Sequence, residues 1–183
     1  AWTGSNRTFS VTRGCCYICD RPVRPGDGAV RTLVAVHRVA AIDCGTNSLR
    51  LLVADVGSGL RELDRRTEIV RLGQDVDRTG RLSRAALDRT FTVLDTYARR
   101  IAELGVGRVR MVATSATRDA ANLDEFVDGV VSRIGVPPEV ISGDEEARLS
   151  FTGATRDLAA SVPAPYLVAD IGGGSTELVL GSS

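Results

Sequence analysis

Two stretches of the sequence place Asp, Gly, Ser and Leu at identical offsets. They are Asp43-Cys44-Gly45-Thr46-Asn47-Ser48-Leu49-Arg50-Leu51 and, 127 residues later, Asp170-Ile171-Gly172-Gly173-Gly174-Ser175-Thr176-Glu177-Leu178. Each lies between two apolar runs, so each reads as strand, tight turn, strand. An Asp closing a strand, followed by small residues that leave backbone N–H groups open, is a nest suited to phosphate oxygens. Two such nests facing each other would clamp a phosphate chain, with Asp43 and Asp170 sharing a divalent cation. Magnesium suits that donor set, because it takes one or two carboxylates and fills its other positions with water and phosphate; manganese is the alternative. Read singly, each motif is no more than a hairpin with a glycine turn. The recurrence of acid and turn together is what packing alone does not explain.

The chain that carries these motifs has 183 residues, 25% charged and 43% hydrophobic, enough for one globular domain or one and a fraction. Its 23 basic residues balance 23 acidic ones, so no net field favours nucleic acid or an anionic membrane, and neither partner is expected. All of the basic residues are Arg. Every fixed cation is therefore a planar fork, and a Walker-type loop, which needs Lys, is excluded. No run approaches the roughly 18 apolar residues of a membrane span, and no signal-peptide core is present, so a cytoplasmic location is expected. Cys15, Cys16 and Cys19 are too crowded for a disulfide framework. One C-x-x-C, even with His37 nearby, is short of a zinc site's four ligands.

Residues 1–38 are polar and broken by Gly and Pro, and read as an irregular extension, a translated upstream tract or a misplaced start. Strands are expected at 39–42, 49–56 and around 68–72. Leu87, Phe91, Leu94, Ala98, Ile101 and Leu104 recur at steps of three or four, which predicts an amphipathic helix with Ser83 as N-cap and Gly105 as its stop. A buried strand at 109–113 leads into a hydroxyl-rich loop, Thr114-Ser115-Ala116-Thr117-Arg118. Asn122 and Glu125 have an imperfect capping-box spacing before a helix that reaches Ile134. A strand at 139–142, a helix from Asp144 and a final strand pair within 166–180 complete an alternating α/β pattern.

Four segments in order, Ala41-Ile42-Asp43-Cys44-Gly45-Thr46-Asn47-Ser48, Ala113-Thr114-Ser115-Ala116-Thr117-Arg118-Asp119, Ile141-Ser142-Gly143-Asp144-Glu145-Glu146-Ala147-Arg148 and Asp170-Ile171-Gly172-Gly173-Gly174-Ser175-Thr176-Glu177, resemble the exopolyphosphatase and guanosine pentaphosphate phosphatase family. The resemblance implies an actin-like (ribonuclease H-like) lobe with a mixed sheet at 39–162, and the beginning of a second lobe, truncated, at 163–183. It further implies that Glu146 is the catalytic base acting on water. Asp43, Asp170 and Glu177 would surround magnesium, Arg118 would bind phosphate, and Gly45, Thr46, Asn47, Ser48, Gly172, Gly173, Gly174, Ser175 and Thr176 would cradle phosphates. Inorganic polyphosphate is the implied substrate, with guanosine pentaphosphate (pppGpp) as alternative; the fragment itself is expected to have low activity, and a full-length form to pair as a homodimer. A superfamily kinase using ATP and a non-catalytic polyphosphate or ppGpp regulator are the rival readings. Other uses of these side chains stay open: Glu146 as one of three acids complementing a helix N-terminus, Arg118 as a partner of Asp119 or Asp124.

Overall fold

A computed structural model describes residues 35–156, 158 and 162–182, which fall in one compact unit spanning Val34–Ser183. The Cys15, Cys16 and Cys19 cluster, and with it the zinc reading, lies outside the described residues. So does the 1–38 extension, except at its end, where His37 and Arg38 already belong to the first strand.

Five strands form a mixed sheet in the order β3-β2-β1-β4-β5. β1 (His37–Cys44), β2 (Ser48–Val56) and β3 (Leu60–Ile69) make an antiparallel meander, while β4 (Arg108–Ala113) and β5 (Glu139–Val140) run parallel to β1. β3 therefore precedes the strand expected near 68–72. Its sequence, with six charged residues among ten, hides it from an apolar-run criterion: an edge strand exposed on both faces needs little hydrophobicity, and its charges blunt the edge.

Strand alternation decides which side chains reach the site. Ala40, Ile42 and Cys44 of β1, Leu49, Leu51 and Val53 of β2, and Met111 and Ala113 of β4 point to one face and are buried in a single core. Helix α2 (Arg84–Glu103) covers that face with Ala86, Leu87, Thr90, Leu94 and Tyr97, and α4 (Leu123–Ile134) adds Phe126 and Val130. Each large apolar side chain so buried contributes about 1.5–3 kcal/mol. As the period predicts, Ser83 caps α2 by accepting from the Ala86 N–H at 3.2 Å, and Gly105 follows the helix at a φ of +64°. The capping box at α4 does not form. Asn122 instead spends its amide on the backbone of Leu82, accepting from its N–H at 2.8 Å and donating to its carbonyl at 3.1 Å.

Between these elements lie two short helices, α1 (Val76–Thr79) and α3 (Ser115–Arg118), the latter formed by what reads in sequence as a hydroxyl-rich loop. Helix α5 (Gly143–Thr155), capped by Ser142, packs against a separate antiparallel hairpin, β6 (Tyr166–Ile171) and β7 (Thr176–Gly181). No helix among the described residues is long and apolar enough to cross a membrane.

Candidate active site

The first turn and the Thr114-Ser115 segment leave the carboxyl ends of parallel β1 and β4, and α5 begins just beyond the end of β5. In open α/β sheets this edge is where ligands bind, because the loops there diverge and leave a crevice. Since Ile42 and Cys44 are committed to the core, Asp43 between them must face the other way, toward that crevice. Asp170 arrives from β6 through the packing of its hairpin on α5, where the Ser150 hydroxyl donates to Asp170 Oδ2 at 2.6 Å. Ser150 lies one helical turn beyond Glu146, so α5 presents both toward the same region.

The sequence echo is repeated atom for atom. Gly45 N–H donates to the Ser48 carbonyl at 3.0 Å, and Gly172 N–H donates to the Ser175 carbonyl at 2.9 Å. Asp43 sits opposite Arg50 in one hairpin and Asp170 sits opposite Glu177 in the other, at the same separation. The N–H groups of Thr46, Asn47, Gly173 and Gly174 find no acceptor among the described residues, as a nest requires. The two turns also touch. A Cβ on Gly173 would lie 2.3 Å from Asn47 Nδ2, and one on Gly174 would lie 2.7 Å from Thr46 Oγ1 and 2.8 Å from Ser115 Oγ. Glycine at both positions is thus set by close approach.

Together the turns, Asp43, Asp170, Glu146, Arg50, Thr114 and Ser115 line a cleft of about 330 Å³. Thr46 and Ser115 share a hydrogen bond of 2.8 Å across it. Of the residues picked from sequence, Thr176, Glu177 and Arg118 do not line this cleft. Arg118 lies behind Glu146: one guanidinium nitrogen, Nη1, donates to Glu146 Oε2 at 3.0 Å and to the Ile141 carbonyl at 2.7 Å. Asp119 and Asp124 are not its partners in this structure. Thr114, Ser115, Ser150 and Arg50 are site residues that sequence reasoning missed. Ser150 was findable from its helical spacing to Glu146, and Arg50 from its register opposite Asp43.

The electrostatics distinguish the acids. Burial pushes the Glu146 carboxyl above the ordinary glutamate value, and the Glu177 charge adds to this; hydrogen bonding and charge from Arg118, with a contribution from the Thr114 hydroxyl, pull it back only in part. Asp43 is also raised, first by burial and then by the Asp170 charge, against the attraction of Arg50 at 3.6 Å. Asp170 and Glu177, directly opposed on antiparallel strands, carry like charge, a destabilising pair unless a cation joins them. No group of three or more His, Cys, Asp or Glu able to hold a metal occurs among the described residues. Asp43, Asp170 and Glu177 are therefore not gathered into one three-carboxylate cluster: Asp43 and Asp170 line the cleft and Glu177 does not, which leaves two hard carboxylates, a donor set that magnesium accepts.

A five-stranded mixed sheet with flanking helices, carrying a paired-hairpin cleft at its carboxyl edge, defines an actin-like lobe. The matched family is narrower: residues 51–183 fit the Ppx/GppA phosphatase family, and the chain belongs to it. It is 52% identical over 158 residues to exopolyphosphatase 2 of Mycobacterium tuberculosis, covering 81% of this chain and 49% of that protein. An exopolyphosphatase-like crystal structure superposes with a TM-score of 0.77 at 51% identity, over 80% of this chain and 46% of the other. The Aquifex aeolicus Ppx/GppA member gives a TM-score of 0.70 at 38% identity, over 81% and 48%. The chain thus spans about half the length of the curated relatives it matches.

Proposed function

We propose that this chain is the first lobe of a magnesium-dependent phosphoanhydride hydrolase that removes the terminal phosphate of inorganic polyphosphate. The observation that carries the reading is the pair of identically hydrogen-bonded turns opening on one cleft with Glu146. Two nests are matched to a substrate with more than one phosphate, and a partly desolvated carboxylate beside them is matched to a water nucleophile. The names of the relatives favour polyphosphate over pppGpp.

In this reading the terminal phosphorus lies between the turns, where the free N–H groups of Thr46, Asn47, Gly173 and Gly174 neutralise its oxygens. Phosphoryl transfer depends on such positioning and charge neutralisation. Glu146 takes a proton from the attacking water, the bridging P–O bond breaks, and orthophosphate and a chain shorter by one phosphate leave. The raised affinity of Glu146 for protons makes it a better base than an exposed glutamate, and Arg118 holds its carboxylate in place. Asp43 and Asp170 would hold the magnesium ion, which would supply charge neutralisation of the phosphate oxygens.

The test is orthophosphate release from long-chain polyphosphate with and without magnesium, beside parallel assays with pppGpp and ATP. Release from polyphosphate alone, lost on chelation, supports the reading. Turnover that requires ATP as cosubstrate would point to a superfamily kinase, and preferential release from pppGpp would move the substrate.

A further inference from the structure

A second cleft of about 180 Å³ adjoins the first across Thr46, Asn47, Ser115, Gly173 and Gly174, which line both. Its other wall includes Arg71, Gln74, Asp77 and Asp119. Arg71 is exposed and takes up a φ of +50°, one of two non-glycine residues with positive φ in the described chain. An L-residue in the left-handed region carries strain, which the surrounding structure must enforce. Here the enforcement is visible. The N–H groups of Val70 and Arg71 both donate to the Asn47 carbonyl at 2.9 Å, and Gly73 N–H donates to the Thr46 carbonyl at 2.9 Å. From the other side Arg89 donates to the carbonyl of Val70 at 2.9 Å and to Gln74 Oε1 at 3.1 Å. A Cβ on Gly73 would fall 2.3 Å from Thr46 Cγ2, so the segment is pressed onto the first turn. The guanidinium of Arg71, by contrast, has no hydrogen-bond or salt-bridge partner among the described residues. A strained, braced backbone that carries an unpaired fork beside a phosphate nest is unexplained by packing.

We propose that this second cleft is a further phosphate subsite, in which Arg71 binds a phosphate of the chain beyond the one held in the first cleft. The proposal rests on the polyphosphate reading and deepens it. A planar guanidinium donates to two phosphate oxygens as a fork, and charge-assisted bonds of this kind are stronger than neutral ones. Asp77 and Asp119 line the same cleft, so it is no general anion sink; the carboxylates lie where the counter-cations of a polyanion gather.

The experiment titrates the full chain with long-chain polyphosphate and separately with orthophosphate, which needs only the first cleft, alongside phosphate-release kinetics. Arg71→Gly removes the fork and suits the positive φ, so the variant should fold, with a raised Tm. It is expected to weaken polyphosphate binding about tenfold, to raise KM with little change in kcat, and to leave orthophosphate binding unaltered. Arg71→Lys, which keeps the charge without the fork, should recover part of the affinity. Unchanged polyphosphate binding in Arg71→Gly, equal loss for both ligands, or a lowered Tm that marks Arg71 as a loop brace would overturn the subsite. A wild-type chain that binds polyphosphate and releases nothing would sink the hydrolase reading while the Arg71 comparison still stands; one that binds none would sink both.

Discussion

In the proposed mechanism Glu146 and Arg118 form the contact that sets the base, and their burial decides the direction of its shift. With side chains 18% and 25% exposed, the pair is neither a surface salt bridge nor a fully desolvated one. Burial raises the proton affinity of Glu146 while Arg118 lowers it, and burial wins. A base must be ionised to act, so activity should fall as pH drops through that raised value, above the range of an ordinary glutamate. Arg118→Ala removes both of the arginine's lowering effects. The acid limb of the pH–rate profile should then move to higher pH, and a limb that stays in place would show that Arg118 does not tune the base. The sequence placed Glu146 and Arg118 in separate motifs. That they meet follows from β4 and β5 being parallel neighbours, a long-range fact that local pattern does not carry.

At the scale of elements, the helices and the hairpins obey different rules. The period of α2 was legible because one face packs, and Ser83 and Gly105 stop it where they should. The α3 helix was not legible: its single turn has no amphipathic period to read, and Thr114 to Thr117 are all buried despite three hydroxyls. The 3.6-residue period also says nothing of what crosses between helices. Gly129 of α4 is such a place, since a Cβ there would lie 2.1 Å from Phe91 Cζ of α2. Gly→Ala inside a helix ordinarily stabilises by about 1 kcal/mol. Overpacking costs typically about 1–3 kcal/mol, so Gly129→Ala should lower stability in urea unfolding; a more stable variant would mean that Phe91 moves aside freely. On the same face of the sheet, near the C-terminal end of α2, Asp55 ties strands together, accepting from Arg38 Nε at 2.7 Å and Arg61 Nη2 at 2.6 Å. Those bonds hold its carboxyl at about 2, below the ordinary 3.8. The folded state therefore binds this proton less readily than the unfolded chain. The stabilisation is complete above the ordinary value and is lost as pH falls from there toward about 2. Asp55→Asn should be less stable at neutral pH and should show a shallower loss of stability over that acid window; an identical acid profile would remove Asp55 as its source.

For the whole molecule, the sequence echo did more than any single motif, because a repeated hairpin is a statement about architecture. It located both turns and both aspartates of the cleft, and the structure adds that the turns touch and share a hydrogen-bond pattern. What the echo concealed was its asymmetry. Arg50 stands where the second hairpin has Glu177, so one aspartate has a fixed cation beside it and the other has a like charge. Arg71 escaped notice for a related reason: nothing in a charged stretch announces a positive φ. The central claim is that this cleft hydrolyses a phosphoanhydride with Glu146 as base, and the most direct measurement compares wild type with Glu146→Gln. Orthophosphate release from polyphosphate and polyphosphate binding are followed on the same preparations. The substitution keeps the shape and a hydrogen-bonding oxygen but cannot take the proton, so release should fall by about 10²- to 10⁴-fold with binding retained. A variant that releases phosphate at the wild-type rate would contradict the assignment of the base and, with it, the mechanism.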